Sequence, residues 1–214
     1  MKKIYGSSVK NHISPQKLEK MKIAFLFSSV SIISAIFGGL VANYISTEIY
    51  TSSLFLISNH FETAFLECSD FMEYANIIAR YSLSDIISLL IIFAVSFSML
   101  NYLVTDIVIF YSGMKFGVSV VFLGGFSRAS DLPYTVGKIR LFVFVVIELA
   151  IFLLMLYYAY HAAMSSVSFR RTDASGRPNI KTRDILLFLL KTAACIGAML
   201  ILNTVYCCLL YILK

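Results

Sequence analysis

From Ile23 to Ile45 the chain runs 23 residues without a charge, and an uncharged apolar run of that length leaves few folds open. About 20 mostly apolar residues cross the hydrocarbon of a bilayer as a helix, because lipid offers no partners to backbone N–H and C=O groups and a helix satisfies its own. Three further runs follow. Asp85 to Phe110 has Asp106 close to its end, Ile139 to Tyr160 is interrupted by Glu148, and Ile185 to Leu213 carries Lys191. Between the second and third lies Gly113 to Phe126, apolar but short, with Lys115 near its start. It reads either as a short fifth span or as a re-entrant hairpin. The first run is too long for a cleavable signal, and no small-residue cleavage pattern follows it.

Composition leads to the same class. Hydrophobic residues make up 59% of the 214 and charged residues 14%, against about 45–50% and about 25% in an ordinary soluble domain. So short a chain cannot hide that excess in a core of its own. The expected architecture is all-α: a polytopic transmembrane helix bundle of about five spans, forming one integral membrane domain over residues 1–214. A nucleic-acid partner would require a basic patch with base-reading side chains, and none is present.

Orientation follows from where Lys and Arg sit. The tail, residues 1–22, carries Lys2, Lys3, Lys10, Lys17, Lys20 and Lys22 against Glu19 and is expected in the cytoplasm. Residues 46–84 hold Glu48, Glu62, Glu67, Asp70 and Glu73 against Arg80, and are expected outside. The loop over 164–184, with Arg170, Arg171, Arg177, Lys181 and Arg183, returns to the cytoplasm if Gly113–Phe126 spans. Within it, Ser175, Gly176 and Pro178 mark a turn between helices. The chain is thus expected to be a multi-pass protein of the cell membrane.

The external segment carries a helical stripe. Leu54, Ile57, Phe61, Phe65, Cys68 and Met72 recur at three- and four-residue steps, while Glu62, Asp70 and Glu73 fall largely away from them. Such an amphipathic helix must place its stripe on the membrane lipid, on its own bundle or on an extracytoplasmic protein. It lacks the Lys/Arg face that strengthens lipid binding, which keeps docking open. Leu54, Ile57, Phe61, Phe65 and Met72 are the candidate partner surface.

Chemistry-bearing motifs are absent. The sequence has no His-Glu-x-x-His, no Gly-x-Ser-x-Gly and no phosphate-binding glycine loop. His12, His60 and His161 are scattered, and the four cysteines form no Cys-x-x-Cys. No catalytic, cofactor or metal residues are therefore assigned, and the chain is not expected to be an enzyme. A disulfide from Cys68 to Cys207 or Cys208 is a minor alternative to cysteines acting as small apolar residues.

Two charges inside the runs need partners. A carboxylate near the bilayer midplane costs about 2.5–3.5 kcal/mol on insertion scales, so Glu148 should face the bundle, be protonated, or pair with a basic side chain such as Lys115. Glu148 and Lys115 form a candidate intramembrane polar site, for helix packing or for substrate or proton movement. Lys191 can snorkel to the cytoplasmic face. Gly38, Gly39, Gly113, Gly117 and Gly197 sit in small-x-x-x-small pairs and are expected where helices approach closely, within one chain or between copies in a homo-oligomer.

The order of these features resembles the stage II sporulation protein M family. The first run ends in Ile36-Phe37-Gly38-Gly39-Leu40-Val41-Ala42-Asn43, and Leu54-Phe55-Leu56 follows outside. Later come Ser112-Gly113-Met114-Lys115-Phe116-Gly117-Val118-Ser119-Val120-Val121-Phe122-Leu123, then Leu132-Pro133, then Glu148-Leu149-Ala150-Ile151. Ser112 stands where the family often has lysine, and Val121 where a further glycine is expected. The resemblance implies about five spans with a cytoplasmic N-terminus. It also implies a membrane scaffold that anchors peptidoglycan hydrolases, the stage II sporulation proteins D and P, during engulfment. A second class of relatives implies an alternative: an accessory for export, maturation or immunity of a circular bacteriocin, or a permease-like subunit associated with an ATP-binding cassette transporter.

Overall fold

In the computed structural model the described residues are 15–44, 71–126, 134–169 and 182–212, and their regular structure is α-helical throughout. The helices are α1 (Pro15–Tyr44), α2 (Phe71–Val95), α3 (Asn101–Phe126), α4 (Tyr134–Phe169) and α5 (Thr182–Ile212). Stretches of four of them, Leu18–Tyr44, Asn101–Val121, Phe142–Val167 and Thr182–Leu209, are long and apolar enough to cross a membrane. The apolar part of α2, Ser82–Val95, is shorter.

Four boundaries differ from the hydropathy reading. Asp85–Phe110 is not one span: the helix stops at Val95 and restarts at Asn101. Serines make the break. The Ser96 hydroxyl donates to the Ile92 carbonyl at 2.6 Å, while the Ser96 N–H is shared between the Ile92 and Phe93 carbonyls. Ser98 Oγ accepts the Leu100 N–H, two residues on, as an N-cap does for the helix that follows. Gly113–Phe126 is accordingly neither a separate span nor a re-entrant hairpin, but the second half of α3. Residues 71–84, expected in the external segment, belong to α2 and run without interruption into its apolar part. At the other loop α4 continues to Phe169 and α5 begins at Thr182, so the connection is shorter than 164–184.

The bundle is apolar outside and mixed inside. Phe25, Ile32, Ile36, Leu40, Leu153, Leu190 and Ile201 are exposed, whereas Ser34, Ser82, Asn101, Thr105, Ser166 and Asn203 are buried. Helices apolar on every side suit a lipid surround. Inside, Leu89, Ile92, Ile109, Met155, Ala159, Ala162, Ala163 and Met199 pack the centre. The buried hydroxyls mostly bond back to their own helix: Ser34 to the Ser31 carbonyl, Ser88 to Ser84, Thr192 to Phe188. Such bonds satisfy a buried hydroxyl within its own helix.

Two seams organise the packing. α1 lies along α3, and the two run parallel, Ser34 and Ala35 lying against Gly113 and Gly117 and Gly38 against Met114. A methyl group at Gly38 would overlap the Met114 backbone, and one at Gly117 the Ala35 backbone. At the end marked by the 96–100 turn, aromatic rings join α2, α4 and α5. Phe188 stacks on Phe93 at 5.2 Å, Phe97 on Phe169 at 5.1 Å, and the Tyr158 hydroxyl meets Thr192 Oγ1 at 2.7 Å.

Candidate functional site

The glycines that seat α1 also aim the site. Successive residues turn by about 100° round a helix, so Lys115, two positions from both Gly113 and Gly117, leaves α3 on the opposite side. There α3 meets α2 and α4. Lys115 Nζ lies 3.2 Å from Glu148 Oε1 on α4 and 3.4 Å from both carboxylate oxygens of Asp85 on α2. Asp85 and Glu148 are each 3% exposed, and the lysine side chain 28%. One ammonium thus bridges two buried carboxylates from two other helices.

Neighbouring side chains wall the cluster in. Phe116 stacks on Phe152 with centroids 5.6 Å apart, one residue from Lys115 and one turn from Glu148, closing α3 against α4. On α2, Ser82 lies one turn before Asp85 and accepts a 2.7 Å hydrogen bond from Asn203 Nδ2 of α5, bringing a fourth helix to the same level. The Ser119 hydroxyl bonds to the Lys115 carbonyl one turn on.

Chemically the cluster is an ion pair extended to three members. Removing one partner of a buried pair typically costs about 3–5 kcal/mol because the remaining charge has no compensation. With both carboxylates and the lysine ionised, two negative charges face one positive charge. The cluster can therefore lock helices together, and it can also take up one further positive charge.

The other residues singled out in the sequence lie as follows. Glu148 and Lys115 meet, joined by Asp85, which hydropathy alone places as the opening residue of a span. Asp85 stands three residues after Ser82 and three before Ser88, all buried on one face of α2, and a charge in step with two hydroxyls along an apolar run was the available signal. Gly38, Gly113 and Gly117 line the α1–α3 seam. Gly39 is less confined, since an added methyl would meet Val121 at 3.4 Å, and Gly197 has nothing within 4 Å, so it is not at a helix contact. Of the candidate partner surface, Leu54, Ile57, Phe61 and Phe65 lie outside the described residues; Met72 is in the first turn of α2 and exposed. Cys195, Cys207 and Cys208 are free thiols, and Cys68 lies outside the described residues. Among the described residues no three His, Cys, Asp or Glu side chains converge as a metal site would need.

No family model, curated protein or solved structure matches the chain. The resemblance to the stage II sporulation protein M family therefore rests on the short motifs quoted above. What sequence and structure define together is an apolar, membrane-type helical bundle with a buried ion cluster.

Proposed function

We propose that this chain is a non-enzymatic membrane scaffold, whose bundle holds an extracytoplasmic segment in place for a protein partner. The resemblance to the sporulation family suggests that the partner is peptidoglycan-remodelling machinery at the cell membrane. In this reading all five helices cross the membrane. The N-terminus and the arginine-rich loop are cytoplasmic, and the C-terminus is external. α2 crosses despite its short apolar part because Asp85 is covered by Lys115.

One observation carries the reading: a single lysine holds two buried carboxylates from two other helices. Lys115 ties Asp85 and Glu148 together across three helices, which favours a fixed framework over a moving one. The segment between α1 and α2, with Leu54, Ile57, Phe61 and Phe65, together with Met72 in the first turn of α2, is then the docking element, offering apolar anchors at helical spacing. The alternative, an accessory for bacteriocin export or immunity, draws on the arginines before α5 as a place to meet an ATPase subunit.

Pull-downs from membranes distinguish the two. Phe65→Asp should release the extracytoplasmic partner while the protein still inserts, and charge reversal of Arg170 and Arg171 should leave that partner bound. Loss of partners only on reversal of the arginines would replace the scaffold by the export accessory.

A further inference from the structure

Outside the Lys115 cluster, Lys191 on α5 and Asp106 on α3 are charges set among apolar residues, with no ion-pair partner among the described residues. Lys191 is exposed among the exposed Leu187, Leu190 and Ala194. Asp106 is half-buried between the exposed Leu103, Ile107 and Phe110, and its Oδ1 is buried without a hydrogen-bond partner. Lysine is long enough to snorkel towards water, but aspartate is too short to do so.

The two charges stand at matched levels. Phe188 packs on Phe93 and Phe97 beside the turn from which α3 starts. Both α3 and α5 run away from that end, because each is antiparallel to α2: α3 follows it through a tight turn, and α5 pairs Phe188 with Phe93 and Asn203 with Ser82. Lys191 is three residues past Phe188 and Asp106 five past Asn101. At about 1.5 Å per residue the two levels agree within roughly one helical turn. α3 and α5 each pack along α2 and α4 and have no extended contact with each other, so they flank that layer from opposite sides.

We propose that the α5 face at Lys191 docks on the α3 face at Asp106 of a second copy of this chain. Copies inserted in the same orientation carry the two charges at the same depth, so each lysine reaches the aspartate of its neighbour. The two faces lie on opposite sides of the protomer and differ from each other, so the contact is head-to-tail. A two-fold dimer requires one self-complementary patch, whereas a head-to-tail contact in a plane repeats from copy to copy, as a ring of three or more where the rotation closes and as an open row where it does not.

Native mass spectrometry of the full chain in lipid nanodiscs or mild detergent tests this. The unaltered protein should show three or more subunits. Lys191→Asp or Asp106→Lys alone should reduce it to monomers, and the double reversal should restore the original mass. If a reversed charge blocks insertion, the neutral changes Lys191→Gln and Asp106→Asn still read the contact, with at least a tenfold loss of assembly expected in each. A monomer or a dimer from the unaltered protein overturns the proposal, the monomer meaning that lipid covers both faces. So does full assembly of the two neutral variants.

Discussion

The two sides of α3 hold their neighbours by opposite means. Towards α1 it presents Gly113 and Gly117, with no charge, and contact is so close that backbone meets backbone. Towards α2 and α4 it presents Lys115, and the contact is a long side chain reaching two carboxylates. In a bilayer, apolar residues gain nothing by leaving lipid for one another, so helices must join by close packing or by polar groups. α3 uses both, one on each face, within five residues. The glycine seam depends on the absence of atoms and the ion cluster on the balance of charge, so the two should fail differently.

The largest effect is expected from Lys115→Met. It keeps most of the side-chain length but leaves Asp85 and Glu148 buried without a cation, at a cost of about 3–5 kcal/mol. Unfolding of the purified protein in mixed detergent micelles would measure it. Next comes Gly117→Val, whose Cβ already overlaps the Ala35 backbone and whose two methyl groups add bulk beside it; overpacking of this kind costs about 1–3 kcal/mol. It should loosen α1 selectively, which proteolysis or cysteine accessibility along α1 would register while α2 and α4 stay protected. If Gly117→Val proves costlier than Lys115→Met, close packing and not charge is the main bond of α3.

The smallest effect is expected from Glu148→Gln. The amide still accepts a hydrogen bond from Lys115, and Lys115 with Asp85 remains a balanced pair. The loss should be about 1 kcal/mol, the difference between a charged and a neutral hydrogen bond. The same unfolding assay would show it. A loss as large as that of Lys115→Met would mean that Glu148 and not Asp85 is the main partner of the lysine.

Hydropathy and small-residue spacing read much of this bundle directly. The long apolar helices follow from runs of about 20 residues, and Glu148 had to face the bundle, be protonated or pair with a base such as Lys115. The break at 96–100 was not readable in that way. Phe97, Met99 and Leu100 keep the average apolar there, while Ser96 and Ser98 end one helix and begin the next through hydrogen bonds that an average cannot register. Missing the turn shifted every boundary around it and left Asp85 at the edge of a span instead of inside a helix. Gly197 shows the converse. Its small-residue spacing matches that of the seam glycines, yet nothing packs against it, because spacing says where a helix can be approached and not which neighbour arrives.

The parallel pairing of α1 with α3 sets a schedule for biosynthesis. Gly38 must wait for Met114, about 75 residues later in the chain, before its neighbour exists. At about 5–20 residues per second, that is a delay of roughly 4–15 s. For that interval the glycine groove of α1 faces lipid or the insertion machinery. The helix made next, α2, carries Asp85 about 30 residues before the ribosome has made Lys115, the cation that pairs with it.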